Sequence, residues 1–309
     1  MVAIGLSADA VARVRFAISP LWETIASIRV LRDPGAHAVH LPWVTRTRQK
    51  KIGGELWRLV RAGPAYVPDF LTPAPAGLFA DLPAELDAML ATPPEEVGRQ
   101  LGGPPPDGLL ERLAAQITDY FDAAIAPDWP RVRRLLEAEV FTRARALAAG
   151  GVGGLLNDLH DQVRWADDTL SVAQRWCTAD DVPAGGGLVL IPSVFVWPSI
   201  LTVSTGRSAQ LAYPPRGTGA LWERPAPAPD GLAAVLGRTR ARLLVELSAP
   251  ASTTALAARV GLTAGGVSQH LAALRAAGLV TAHRDGRTVL NIRTGVADAL
   301  LQTAGRRPA

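Results

Sequence analysis

Residues 252–293 read STTALAARVGLTAGGVSQHLAALRAAGLVTAHRDGRTVLNIR. This stretch decides the fold of the C-terminal part of the chain, because it holds two helical patterns separated by a short turn. The first pattern covers about 252–260, Gly261-Leu262-Thr263 supplies the turn, and the second pattern covers about 264–277. One further amphipathic helix is predicted upstream, over 232–248.

Two strand-like segments follow the second helix. Residues 279–283 and 288–292 are joined at Asp285-Gly286, a dipeptide that is typical of tight hairpins. A helix pair with a sharp turn can place its second helix in the major groove, and a basic hairpin can grip the backbone. The stretch therefore predicts a winged helix-turn-helix domain that binds DNA.

The second helix of this stretch is the predicted recognition helix. Val267, Leu271 and Leu274 have helical spacing and are expected to face inward. The predicted DNA-binding residues are those at its start, on its outward side and near the hairpin tip: Thr263, Ser268, Gln269, His270, Arg275, Arg284 and Arg287. Of these, Gln269 has the amide that pairs bidentately with adenine. His270 fits a phosphate contact and a half-buried structural position equally well.

Positive charge is concentrated in the same part of the chain. Residues 231–309 hold ten arginines and three acidic residues, a net charge of +7. The remainder holds 22 basic and 25 acidic residues, a net charge of −3. A polyanionic partner is therefore expected for the C-terminal part alone.

Prolines mark the predicted domain boundary. Five of them lie between residues 214 and 230, which predicts a linker over 214–230. An N-terminal domain over 1–213 and a C-terminal domain over 231–309 are expected on either side. The N-terminal domain is the candidate for sensing or dimerisation.

The N-terminal domain is predicted to be mainly helical with a small antiparallel sheet, which gives the whole chain an α+β fold class. Ser19-Pro20 starts a helix, because proline suits the first helical position. Segments 109–124 and 132–147 have helical spacing and imply one buried face each. Residues 163–172 predict a hairpin, and further strands are predicted at 188–196, 200–203 and 209–213.

The chain resembles the ArsR-type winged-helix repressors over about its last quarter. The segments that carry this resemblance are Ser268-Gln269-His270-Leu271, Leu274, Ala277-Gly278-Leu279-Val280 and Arg284-Asp285-Gly286-Arg287. The rest is similar to a domain of unknown function that precedes this winged helix in a bacterial subgroup. That similarity is carried by Arg13-Val14-Arg15-Phe16, Ser19-Pro20-Leu21-Trp22-Glu23, His40-Leu41-Pro42-Trp43, Pro68-Asp69-Phe70-Leu71 and Ile191-Pro192-Ser193-Val194-Phe195.

The resemblance implies a homodimer that represses transcription at a double-stranded DNA operator and is released by an inducer. A hydrophobic small molecule bound in the N-terminal domain is the expected inducer. The alternative is a ligand-independent repressor whose N-terminal domain serves dimerisation or protein partners. Many members of the family sense metals, but residues 252–262 contain no cysteine and residues 294–309 contain no histidine or cysteine. Metal sensing at those two places is not expected.

Several N-terminal side chains have two interpretations. His37 and His40 could bind a metal together with His160, or be structural. The single cysteine, Cys177, could be a redox sensor or inert. The eight tryptophans could line a hydrophobic pocket or pack in the core. No cofactor and no metal site are predicted.

Enzyme signatures are missing from the sequence. It contains no GxxxxGK[ST], HExxH or GxSxG motif, so the chain is predicted not to be an enzyme. An enzyme that regulates its own synthesis would need paired titratable groups in a polar cleft within residues 1–230. No secretory signal is expected, and the uncharged stretch 182–206 is broken by glycines and prolines that do not suit a membrane helix. A cytoplasmic protein is therefore expected.

Overall fold

The chain folds into two units, Met1–Trp222 and Glu223–Ala309. They are seen in a computed structural model that describes residues 2–48, 54–61, 67–173, 181–183, 185–205, 208–222, 230–285 and 288–305. Each unit contains helices and β-sheet, which confirms the predicted α+β class. Cys177 and Trp176 lie outside the described residues.

The first unit contains helices α1 to α8 and strands β1 to β7. Its helices are α1 (Ala8–Ala12), α2 (Pro20–Arg32), α3 (Leu41–Thr47), α4 (Gly54–Leu59), α5 (Leu82–Leu90), α6 (Pro94–Leu101), α7 (Leu109–Tyr120) and α8 (Trp129–Asn157). Its strands are β1 (Val2–Gly5), β2 (Arg15–Phe16), β3 (Val163–Ala166), β4 (Thr169–Val172), β5 (Gly187–Pro192), β6 (Leu201–Thr205) and β7 (Ser208–Tyr213). Short 3-10 helices span Pro34–His40, Asp69–Leu71, Val194–Val196 and Thr218–Ala220.

Polar caps set the start of the central helix, as the sequence predicts. The Ser19 hydroxyl accepts a hydrogen bond from the Trp22 N–H at 2.9 Å, and Pro20 occupies the first turn of α2. This helix is surrounded by other elements, so even its polar residues Glu23, Thr24 and Ser27 are buried. It forms the centre of the first unit.

The predicted hairpin over 163–172 is confirmed. Strands β3 and β4 pair antiparallel, and β1 adds to the other edge of β4. Asp167 and Asp168 join the strands with positive φ angles of 48° and 54°, the conformation of a type I′ turn. The sequence prediction groups this hairpin with the three later strands in one small antiparallel sheet, whereas the structure divides them between two sheets.

The other three predicted strand segments contribute to a second, mixed sheet that the sequence does not predict. Of the predicted strand 188–196, the end is wrong, because Val194–Val196 form a 3-10 helix. Its strand order is β2-β5-β7-β6, in which β5 pairs parallel to both β2 and β7, and only β6 and β7 are antiparallel. The physical reason is burial on both faces. Leu188 and Leu190 face one hydrophobic cluster, while Val189 and Ile191 face another. Such a continuous apolar strand is typical of parallel pairing.

Residues 214–222 belong to the first unit, although the sequence places them in the linker. Leu221 is buried, and Trp222 packs against the larger hydrophobic cluster. The Trp222 indole N–H donates to Nδ1 of His40 at 2.9 Å. The chain is therefore anchored by an aromatic side chain directly before residues 223–229, which lie outside the described part.

The second unit contains α9 (Asp230–Leu236), α10 (Arg238–Glu246), α11 (Thr253–Val260), α12 (Ala264–Ala276) and α13 (Gly295–Gly305). Strands β8 (Ala251–Ser252), β9 (Val280–Asp285) and β10 (Thr288–Arg293) form an antiparallel sheet in the order β8-β10-β9. The prediction of one helix over 232–248 is wrong. Gly237 adopts φ +82°, which is outside the helical region, and it separates α9 from α10.

The core of the second unit is made of leucine, valine and alanine side chains. Leu243, Leu256, Val267 and Leu271 are fully enclosed, and Ala297 brings α13 onto the same cluster. This core supports the recognition helix from behind. Within the part of the chain that the structure describes, no helix is both long and apolar enough to cross a membrane.

Candidate nucleic-acid interface

The helix-turn-helix is built from two capped helices. Ser252 accepts from the Ala255 N–H at 3.1 Å at the start of α11, and Gly261 ends that helix with φ +72°. Thr263 then starts α12 by accepting from the Gly266 N–H at 3.2 Å. The predicted turn over residues 261–263 is confirmed. Thr263, Ala264 and Gly265 at the start of α12 are exposed, as an anion-binding helix terminus requires.

The outward side of α12 carries the predicted contact residues. Val267, Leu271 and Leu274 are buried, which confirms the predicted inner side of the recognition helix. Ser268, Gln269 and Arg275 are exposed, and His270 is half-buried at the edge of the apolar stripe. The side chains of Ser268 and Gln269 can therefore approach base edges if the helix enters a groove.

The hairpin β9–β10 places Arg284 on the same face of the sheet as the core residue Asn291. Register pairs Arg284 with Val289, and Asn291 with Ala282, and side chains two residues apart share a face. Arg284 is exposed near the tip, while His283 is exposed on the opposite face. Gly286 and Arg287 lie outside the described residues.

Arg275 connects the recognition helix to this hairpin. Its Nη1 atom donates to the Oδ1 atom of Asn291 at 3.3 Å, and the Asn291 amide nitrogen donates to the Ala251 carbonyl at 3.2 Å. Asn291 is fully buried. Asn291 is not among the predicted site residues, although asparagine is unfavourable inside an apolar strand and its presence there is a signal in the sequence.

Three arginines of the second unit bind other atoms of the same unit. Arg242 and Arg259 donate to main-chain carbonyls at the ends of α11 and α10. Arg293 donates to the Leu244 carbonyl at 3.1 Å and forms an ion pair with Asp298 at 3.0 Å. Burial lowers the pKa of Arg293, and Asp298 opposes that effect. These three arginines hold the domain together, and they were indistinguishable from contact residues in a count of charges.

The first unit provides no metal centre among its described residues, where no group of three His, Cys, Asp or Glu side chains could hold an ion. The three histidines contact protein atoms instead. Nδ1 of His37 lies 2.5 Å from the Trp197 carbonyl oxygen, and Nε2 of His160 lies 3.1 Å from that of Pro198. Burial lowers the pKa of His40 to about 4. A neutral His40 accepts the Trp222 hydrogen bond.

Two buried glutamates have the raised pKa values that often mark catalytic acids. Burial raises the pKa of Glu23 and of Glu85 to about 7. Glu23 accepts from Ser193, Val194 and Phe195, at 2.8–3.2 Å. Glu85 accepts from the Leu21 N–H at 2.9 Å and from the Ser19 hydroxyl. Both carboxyls accept hydrogen bonds from buried serine hydroxyls and main-chain N–H groups around α2.

The comparisons with known proteins concern the second unit. Residues 235–283 match the family model described as "Helix-turn-helix domain". The crystal structure of NolR from Sinorhizobium fredii is similar over 24% of this chain and 77% of the NolR chain, at 27% identity and a TM-score of 0.21. No curated protein matches the chain. The C-terminal unit therefore contains a helix-turn-helix domain, the element through which many transcription regulators bind DNA.

Proposed function

We propose that this chain is a sequence-specific DNA-binding transcriptional regulator that acts as a homodimeric repressor. The single observation that carries the proposal is the exposed side of α12. Ser268 and Gln269 lie there, opposite the buried side of the helix, and the adjacent hairpin exposes Arg284. The helix-turn-helix match over residues 235–283 supports the same activity.

In this proposal α12 enters the major groove. Gln269 offers an amide for adenine, and Ser268 offers a hydroxyl that pairs with any base edge of suitable donor or acceptor type. Thr263 and the first N–H groups of α12 meet a phosphate at the groove margin. Arg284, and Arg287 beyond the described residues, meet the backbone alongside. Phosphate contacts supply affinity and orientation, while the base contacts supply sequence choice.

A homodimer is supported by exposed apolar side chains on the two terminal helices of the second unit. α9 and α13 pack against each other. Val235 is 82% exposed on α9, and Val296 and Leu300 are 61% and 39% exposed one turn apart on α13. A second copy of the chain that covers these side chains would remove apolar surface from water. Two recognition helices would then lie about 34–36 Å apart on a near-palindromic operator.

Size-exclusion chromatography with light scattering tests this pairing surface. Val296→Asp is expected to yield a monomer at concentrations where the unmodified chain is dimeric, because the charge would be buried without a partner. Leu78→Asp is the matched control, since Leu78 is 40% exposed in the first unit. If Val296→Asp stays dimeric, the two copies pair elsewhere.

Repression released by a small molecule is the proposed mode of regulation, supported by the resemblance of residues 268–287 to ArsR-type repressors. An open groove of ≈ 830 Å³ in the first unit is the candidate place for a ligand, lined by Phe70, Pro73, Glu95 and Arg99 among others. Thermal-shift measurements with hydrophobic small molecules test it. A ligand that raises the Tm and also weakens DNA binding supports a sensor.

A ligand-independent repressor is the second candidate, and the packing of the aromatic residues favours it. The ring centroids of Trp43 and Phe195 lie 4.6 Å apart, and Trp222 stacks on Trp43 at 6.4 Å. These rings pack against one another in the hydrophobic cluster of the first unit. Under this alternative, ligands that stabilise the first unit leave the affinity for DNA unchanged.

Selection from a pool of random duplexes tests the DNA-binding activity itself. The purified full chain is expected to enrich a near-palindromic motif with two half-sites about one helical turn apart. The chain with Gln269→Ala should enrich a more degenerate motif from the same pool. Failure of the unmodified chain to retain any duplex at low salt would refute the proposal.

A further inference from the structure

Both the oxygen and the nitrogen of the Asn291 side-chain amide form hydrogen bonds, at the contact between α12 and the sheet. Asn291 lies in the middle of β10, between Ala251 of β8 and Ala282 of β9, and has no exposed surface. Its nitrogen binds the Ala251 carbonyl and its oxygen binds Arg275 of the recognition helix. A buried amide is stable only when donor and acceptor are both satisfied, so this pair of bonds fixes its orientation.

Arg275 is only partly used by this contact. A guanidinium has five N–H donors, and the bond to Asn291 engages one nitrogen while the side chain stays exposed. The contact directs the guanidinium toward the hairpin and away from the outward side that Gln269 occupies. Arg275 lies six residues after Gln269, which is about 9 Å along the helix. It therefore sits between the base-contacting positions and the hairpin.

Arg284 continues the same line. Arg284 pairs with Val289 of β10, and Asn291 pairs with Ala282 of β9. Arg284 and Ala282 are two residues apart on β9, so their Cα atoms lie about 7 Å apart and their side chains share a face of the sheet. Arg275, bound to Asn291, and Arg284 therefore belong to the same face of the sheet. Guanidinium groups suit the phosphates of a DNA strand as partners.

We propose that Asn291 is a positioning residue of the DNA interface, which holds Arg275 against the hairpin so that Arg275 and Arg284 contact neighbouring phosphates. This inference rests on the proposed DNA-binding function and refines it, because it assigns Arg275 to the backbone and not to the bases. Asn291 itself touches no DNA. It acts through Arg275, which makes the two residues a coupled pair.

A double-mutant cycle in the full chain tests the coupling. Arg275→Ala, Asn291→Ala and the double variant are titrated with the selected operator and with an unrelated duplex of equal length, at several salt concentrations. Binding weakens as salt rises, so the slope of log K against log salt is negative. Arg275→Ala is expected to make this slope less negative by about 0.9, the value for one phosphate, on both duplexes. Asn291→Ala should change the slope in the same direction, and the double variant should match Arg275→Ala.

A merely structural role for Asn291 predicts a different pattern. The slope would stay unchanged in Asn291→Ala, and its loss of affinity would add to that of Arg275→Ala. Either result overturns the inference, as does an Arg275→Ala variant that loses only operator preference. If the unmodified chain binds no duplex at all, the proposed function fails instead, and the two failures are thereby distinguished.

Asn291→Thr keeps the test usable if Asn291→Ala does not fold. Threonine is favourable in a strand, and its hydroxyl can donate to the Ala251 carbonyl, but the side chain is one atom shorter and does not reach Arg275 as the amide oxygen does. The steepness of the salt dependence is therefore expected to fall with this variant as with Asn291→Ala. A Thr variant that keeps the original steepness would contradict the positioning of Arg275 by Asn291.

Discussion

The guanidinium of Arg242 donates to the Arg259 carbonyl at 3.0 Å, and the guanidinium of Arg259 donates back to the Glu246 carbonyl at 3.4 Å. Arg242 also reaches the Val260 carbonyl at 3.1 Å. Each arginine thus caps the C-terminal end of the helix that carries the other, where carbonyl groups lack helical partners. The exchange fixes the crossing of α10 and α11, on which α12 rests.

Replacing Arg242 by alanine is expected to loosen α11. The variant removes two hydrogen bonds from a charged donor, so the free energy of opening should fall by about 1–2 kcal/mol. Hydrogen–deuterium exchange of peptides that cover α11 measures it. Arg240→Ala is the control on the same helix, because Arg240 is exposed and its one bond, to the Leu236 carbonyl, is 3.5 Å long. Equal protection of α11 in both variants would contradict the capping role.

Gln269→Ala is expected to reduce sequence preference without changing the electrostatics of binding. Loss of a bidentate amide contact should cost about 1–3 kcal/mol of discrimination between the selected operator and single-base variants of it. Competition titrations at one salt concentration measure this. The slope of affinity against salt should stay as it is, and a changed slope would assign Gln269 to the backbone.

Arg284→Ala is expected to weaken binding to every duplex by a similar factor. Removal of one phosphate contact should make the negative slope of log K against log salt shallower by about 0.9. Arg287→Ala is expected to behave in the same way. His283→Ala is the matched control, since His283 is exposed on the opposite face of the hairpin. A His283→Ala variant that loses as much affinity as Arg284→Ala would reverse the assignment of the two faces.

Local signals in the sequence predict much of the second unit. The caps at Ser252 and Thr263 and the left-handed Gly261 are all where short-range rules place them. The break at Gly237 was not predicted, because the apolar periodicity continues across it and glycine in a helix carries only a modest penalty. Asn291 and Arg275 are 16 residues apart, so their contact depends on tertiary packing.

Long-range pairing accounts for what the sequence does not predict in the first unit. β2 and β5 pair parallel although most of the unit lies between them in the chain, and no local pattern specifies that partner. The buried carboxyls of Glu23 and Glu85 have the same origin. On α2 and α5 they resemble surface glutamates in sequence, and only the packed structure shows that α2 is enclosed on all sides.

Because burial raises the pKa values of Glu23 and Glu85, the first unit is expected to lose stability as the pH rises from about 4.5 to 7. The folded pKa of Glu23 is about 7 against an ordinary value of 4.5, so the native state binds a proton there that the unfolded chain has released. The contribution of Glu23 is on the order of 3 kcal/mol. Glu85 acts in the same direction. His40, with a lowered pKa of about 4, opposes it below pH 6.5.

Glu23→Gln should flatten this dependence. The single amide oxygen keeps an acceptor for the Val194 N–H, the amide nitrogen replaces the oxygen that accepts from Phe195 and Ser193, and the side chain cannot ionise. The variant is therefore expected to be less stable at every pH but to lose the pH dependence that Glu23 causes. Urea unfolding followed by tryptophan fluorescence at pH 5, 6, 7 and 8 measures the change. The midpoint of the unmodified chain should fall with pH more steeply than that of the variant. Parallel curves would mean that Glu23 titrates normally in the folded state.

Gly187→Ala is expected to destabilise the mixed sheet. A Cβ atom at Gly187 would lie 2.7 Å from the carbonyl oxygen of Arg13, where the chain enters β2. Backbone cannot yield as a flexible side chain does, so the cost should be about 1–3 kcal/mol in the free energy of unfolding. Gly77→Ala is the control, because a Cβ atom there meets open space. Similar unfolding midpoints for both variants would contradict the close approach.

The aliphatic core of the second unit has a spectroscopic consequence. Residues 223–309 contain no tryptophan, tyrosine or phenylalanine, so every intrinsic chromophore belongs to the first unit. Intrinsic protein emission therefore reports on the first unit alone, and melting of the second unit is silent in that signal. With excitation at wavelengths that DNA does not absorb, a change in emission on adding operator DNA would show that the first unit responds to binding. A tryptophan introduced at exposed Val245 would give the silent unit its own signal.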